Sequence, residues 1–165
     1  MEADPPRTGV LKLFAGGEGA ITGTVVCAAV IAYGAGHAGS TAQLSGAIVV
    51  TVGVYWLAHL HAVTIGNSLT HGHHPLIAAR HALRETAPVA AASILPLAVL
   101  LITRLLGAGL SASAWIALLA TIALLAIYSY VAGARGGLDI LGRLTSAAAG
   151  AGIGVIVALL KVALH

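Results

Sequence analysis

The chain is a succession of apolar runs separated by short polar stretches. Five runs approach the roughly 20 residues that a helix needs to cross a hydrocarbon core about 30 Å thick. They are Ala20 to Gly36, Leu44 to Asn67, Thr86 to Leu106, Ala114 to Ala134 and Thr145 to Leu164. Glycines mark the breaks, as in Gly107-Ala108-Gly109 and Gly136-Gly137. The first run is short, so its helix is expected to start earlier, near Phe14 or Glu18. Pro88 is expected in the first turn of the third helix, where a missing N–H is harmless; Pro96 lies inside that helix and should kink it. The pattern predicts an all-α protein, a multi-pass membrane helix bundle with five transmembrane helices. It forms a single transmembrane domain over residues 1–165, with a short N-terminal tail (1–13) and a histidine-rich loop at about 68–85.

Composition removes the soluble alternative. Hydrophobic residues make up 59% of the chain and charged residues 8%, against roughly 25% charged in ordinary soluble domains. A mean hydropathy of +1.00 agrees, and no polar stretch is long enough to build a separate aqueous domain. The lone cysteine, Cys27, excludes an internal disulfide framework and a cysteine-rich zinc site. The eight Lys and Arg are spread along the chain, which argues against a nucleic-acid partner and for a role in orienting the protein in a lipid bilayer. Met1 to Gly17 holds Glu2, Asp4, Pro5 and Pro6 and no apolar h-region, so it does not read as a signal peptide. Arg7, Lys12, Arg80, Arg84, Arg135 and Arg143 fall on one side of the predicted spans, Arg104 and Lys161 on the other. The positive-inside rule then makes the N-terminus cytoplasmic and the C-terminus external. The expected location is the cell membrane.

The polar exceptions are where chemistry is expected. Glu18 stands in Gly16-Gly17-Glu18-Gly19 at the start of the first span. The helix dipole favours an acid there; alternatively, the flanking glycines let the carboxylate approach a cation or a neighbouring helix. His59 and His61 lie towards the same end of the second span. Two residues on a helix is a rotation of about 200°, so the two rings cannot face one partner. Taken singly, each reads first as a satisfied or interfacial histidine; with Glu18 at similar depth they become transport-pathway candidates. The following loop carries His71, His73, His74, His81 and Glu85. Neutral imidazole suits Zn, Fe, Ni and Cu, which makes these residues candidate ligands for a divalent transition metal (Fe, Zn, Mn or similar). A solvated loop that happens to be histidine-rich is the plainer reading. If residues 76 to 86 are helical, His74 and His81 share a face. His37 and His165 lie at the opposite side without evident partners.

Gly17-Glu18-Gly19-Ala20-Ile21-Thr22-Gly23 resembles the Asn-Asp-Gly-x-x-Thr-Gly motif that opens the first helix of the vacuolar iron transporters. Leu57-Ala58-His59-Leu60-His61 is similarly placed to that family's Met-Ala-x-Gly-Glu, and Gly133-Ala134-Arg135 through Gly150 and Gly154 resembles its last two helices. The resemblance implies five membrane helices, a cytoplasmic N-terminus, an external C-terminus and a homodimer. It also implies that Glu18 replaces the acid that handles the ion, that Leu57 replaces a methionine ligand and that His61 replaces a glutamate. A short histidine-rich loop stands where the family has a long glutamate-rich segment.

The function expected first is transport, or channel conduction, of a divalent transition-metal cation. Glu18, His59 and His61 would line the pathway. Proton exchange would be natural, because histidine titrates near neutral pH. No organic cofactor is expected. A second reading is a structural or accessory subunit that binds a partner through small-residue helix faces. A third is a membrane enzyme holding a metal or haem with histidines, since His71-x-His73-His74 is similar to one desaturase-type box.

Overall fold

The protein is described by a computed structural model over residues 17–71 and 74–163. The described residues form six helices: α1 (Glu18–His37), α2 (Thr41–His71), α3 (Pro75–Ala91), α4 (Ile94–Leu105), α5 (Leu110–Arg135) and α6 (Ile140–Ala163). Five spans are long and apolar enough to cross a membrane, with α3 and α4 together making the third, Leu76–Leu105. The expected all-α architecture with five helices of membrane-spanning length and hydropathy is therefore observed. The tail 1–13, with Arg7 and Lys12, lies outside the described residues.

Local sequence explains each boundary. Glu18 sits in the first turn of α1, where an acid meets the positive end of the helix dipole. Ser40 and Gln43 start α2 with a pair close to a capping box. The Gln43 N–H donates to Ser40 Oγ at 3.2 Å, and the Gly39 N–H donates to Gln43 Oε1 at 2.9 Å. The third span breaks at Ala92-Ser93 because Pro96 has no N–H to offer the Ala92 carbonyl and its ring crowds that group. Regular bonding resumes one residue on, where the Leu97 N–H donates to the Ser93 carbonyl at 3.1 Å. Helices α4 and α5 both lead into turns with Gly107 or Gly137 in the left-handed region, at φ 90° and 75°. In each, a six-residue bond (Ala108 N to Thr103 O, Leu138 N to Gly133 O, both 3.1 Å) closes the end in the Schellman manner.

Two expectations are corrected here. Pro88 is not in the first turn of the third helix but well inside α3, which begins at Pro75. The segment 68–85 is mostly helix rather than loop: α2 runs to His71 and α3 covers 75 to 91. Apolar periodicity located only the part of the third span that matches the hydrocarbon. Arg80, Arg84 and Glu85 hid the helical turns before it.

Helix α1 is the hub, packed against every other element. The core that it organises contains Cys27, Ile31, Leu44, Ile48, Leu100 and Ala117. Close approach depends on glycine: a Cβ at Gly23 would run into the backbone of Val89 in α3, and one at Gly154 would lie 2.8 Å from the Ile122 side chain of α5. The second span is the least covered, with 11% of its apolar window buried against 39% in α1. Contacts between helix ends sort the charges. Arg104 Nε donates to Thr41 Oγ1 at 2.7 Å, and Lys161 lies over Trp115, so both cations belong to the end where α1 finishes. Arg80, Arg84, Arg135 and Arg143 occupy the end where α1 begins.

Candidate functional site

The Glu18 end of the bundle holds most of the residues expected to carry chemistry. Glu18 is exposed at the start of α1, and its carbonyl accepts from Thr22 Oγ1 at 2.8 Å. Gly19 and Gly23, one turn apart, face Val89 of α3. Gly19 and Gly23 of the opening motif therefore serve helix packing, whereas a Cβ at Gly17 would meet nothing within 4 Å, and the Glu18 carboxylate has no hydrogen-bond partner among the described residues. On α2, His59 is half-buried with its ring stacked on Tyr55 at 6.2 Å, whereas His61 is exposed. The divergence expected from their two-residue spacing is what the helix shows.

Depth brings Glu18 and His61 to the same level without bringing them into contact. Gly19 meets Pro88 and Val89, while Trp56 Nε1 donates to Thr86 Oγ1 at 3.2 Å and Asn67 Nδ2 donates to Glu85 Oε2 at 3.2 Å. The start of α1 and the later half of α2 thus flank the same stretch of α3. No hydrogen bond or ion pair joins Glu18 to either histidine among the described residues.

The metal-ligand set does not assemble. His74 caps α3, its Nδ1 accepting from the Leu76 N–H at 3.5 Å. His81 is seven residues further along α3, about 10 Å away along the axis, and Glu85 is turned to Asn67 on α2. His73 and the side chain of His71 lie outside the described residues, as does His165. Among the described residues, no three His, Cys, Asp or Glu side chains form a group able to hold a metal ion. His81 instead shares a pocket of about 270 Å³ with Ile77, Arg80 and Arg84.

Among the described residues, the buried polar groups of the bundle are hydroxyls and the Lys161 amine. Thr24, Thr86 and Thr121 return their hydroxyl protons to carbonyls of their own helices, at 2.7, 2.8 and 2.6 Å. No buried carboxylate or imidazole is found among the described residues, so the interior of one chain offers hydroxyls rather than ion ligands. Sequence reasoning treated Lys161 only as a topology charge. It is buried in the last turn of α6, with Nζ 5.0 Å from the centre of the Trp115 ring. Its i to i+4 distance from Val157, which packs on α1, was the available signal. His37, expected to have no partner, stacks on Tyr33 at 4.4 Å, and its Nδ1 lies 2.9 Å from the Tyr33 carbonyl. These two residues border a groove of about 480 Å³ between α1 and α2, walled mainly by Val30, Leu44 and Ala47.

No family model, no curated protein and no solved structure matches this chain. The functional reading therefore rests on the residues themselves and on their geometry.

Proposed function

We propose that the protein is a homodimeric membrane transporter or channel for a divalent transition-metal cation, its pathway running between two copies rather than through one. The observation that supports this is the placement of His61. At about 100° per residue, Gly46, Val50, Gly53, Leu57 and His61 form one stripe along α2. Among the described residues that stripe is uncovered: a Cβ at Gly46 or Gly53 would meet nothing within 4 Å, and Val50, Leu57 and His61 are exposed. An ionisable side chain turned to lipid is unfavourable, and small residues permit close helix approach, so a second copy is the natural cover. Two such faces together would pair the His61 imidazoles across the interface, with the Glu18 carboxylates at similar depth, a nitrogen and oxygen donor set suited to Fe, Zn or Mn. The resemblance of Gly17 to Gly23 to an iron-transporter motif points the same way. The proposed setting is the cell membrane, with the N-terminus cytoplasmic.

The absence of a three-ligand group among the described residues of one chain favours a second reading, an accessory subunit that uses the α2 face for a different partner. Metal uptake into liposomes containing only the purified protein separates the two. The wild type should load the ion, and Glu18→Gln and His61→Ala should each lose most of the flux while keeping their helical spectrum. No uptake by the wild type, or wild-type rates from both folded variants, would rule out the transport reading.

A further inference from the structure

The pocket on α3 is electrostatically unlike the rest of the Glu18 end. Ile77, Arg80, His81 and Arg84 are spaced three, four and seven residues apart and make one exposed stripe. The neighbouring acid makes no ion pair with either arginine among the described residues: Glu85 Oε2 accepts from Asn67 Nδ2 on α2. Neither guanidinium has a hydrogen-bond or ion-pair partner among the described residues. Two fixed positive charges in one concavity disfavour a divalent cation beside His81 and favour an anion.

Helix length fixes the depth of this pocket. Leu76–Leu105 contains 30 residues, about 45 Å of helix, whereas a hydrocarbon core takes about 30 Å. The excess belongs at the Arg80 end, since the chain is uncharged from Thr86 to Thr103 and charged before it. Arg80 and Arg84 therefore stand in the headgroup layer, with the exposed Ile77 and Leu83 beside them offering apolar contact. Guanidinium groups match phosphate oxygens with paired N–H donors.

We propose that Arg80 and Arg84, in the pocket they share with His81, form a phosphate-binding site at the membrane interface, filled by the headgroup of an anionic phospholipid. The site is independent of ion transport: it would exist in a transporter or in an accessory subunit. The chemistry it recognises is a phosphate group, and a free phosphate from solution is the other source of it.

The test uses the full-length protein and two double variants, Arg80→Gln/Arg84→Gln and, with the same charge change elsewhere at that end, Arg135→Gln/Arg143→Gln. Native mass spectrometry counts phosphatidylglycerol and phosphatidylcholine retained after release from mixed micelles. In a second arm, thermal unfolding is followed in lipid-free detergent with and without inorganic phosphate. Losing two cationic contacts should weaken phosphatidylglycerol retention roughly tenfold or more in the Arg80/Arg84 variant, with phosphatidylcholine unchanged and the Arg135/Arg143 variant like the wild type. A phosphate-induced thermal shift lost in that variant alone, without lipid selectivity, supports the site with free phosphate as its source. Equal retention and equal shifts in both variants, or equal losses in both, overturn it.

Discussion

At the scale of single residues, the glycines of the first helix show how one pattern can serve two purposes. A glycine that admits a neighbouring backbone and one that admits an ion are written with the same letter. Gly23 belongs to the first kind, since a side chain there would collide with the Val89 backbone. Gly23→Ala is expected to destabilise the bundle by about 1–3 kcal/mol, the usual range for overpacking. Gly152→Ala, at a position of α6 with open space, should be neutral or stabilising by up to about 1 kcal/mol through helix propensity. Thermal unfolding in one detergent measures both. A Gly23→Ala protein as stable as the wild type would mean that α1 and α3 are not packed this closely. Glu18 was legible as an exception in an apolar chain. Its lack of a described partner was not, because contact with α2 depends on how far apart two helices of equal depth stand.

Among the elements, the third span separates what hydropathy reports from what the backbone does. Pro96 was readable as a kink, since its ring and missing N–H act whatever surrounds it. The turns from Pro75 to Glu85 were not located by hydropathy, because Arg80, Arg84 and Glu85 interrupt the apolar run there. Their place beside α2 is secured partly by a polar contact, Trp56 Nε1 donating to Thr86 Oγ1, whose hydroxyl in turn donates to the Ala82 carbonyl at 2.8 Å. In an apolar surrounding such an interhelical bond contributes about 0.6 kcal/mol on average and up to about 1.7. A cycle of Trp56→Phe, Thr86→Val and the double variant should therefore return a coupling of that order. Strictly additive losses would show that the indole and the hydroxyl act separately, and that apolar packing alone aligns α2 with α3.

For the whole molecule, the division of charge and the uncovered face of α2 each carry a prediction. The turn between α5 and α6 lies at the Glu18 end and the start of α5 at the other, so single cysteines at Leu138 and Ser111 should react from opposite sides of a sealed membrane. Cys27 is fully buried and should not interfere. Labelling of both positions from one side would contradict the topology. The proposed dimer follows from α2. Helix association in lipid lacks a hydrophobic drive and depends on close packing and on polar groups that need cover. The stripe Gly46, Val50, Gly53, Leu57 and His61 supplies both, whereas α5 and α6 are occupied with each other and with α1. Cysteine at Val50 or at Leu57 should therefore crosslink two copies in bilayers under mild oxidation. Cysteine at Ile156, equally lipid-accessible on α6 with 67% of its surface exposed, should not. The comparison matters because random collisions in a crowded membrane would join all three positions alike. If Ile156→Cys crosslinks as readily as Leu57→Cys, or if the protein stays monomeric in bilayers, the α2 faces do not meet. His61 would then face lipid or another protein, and a pathway between copies would have no walls.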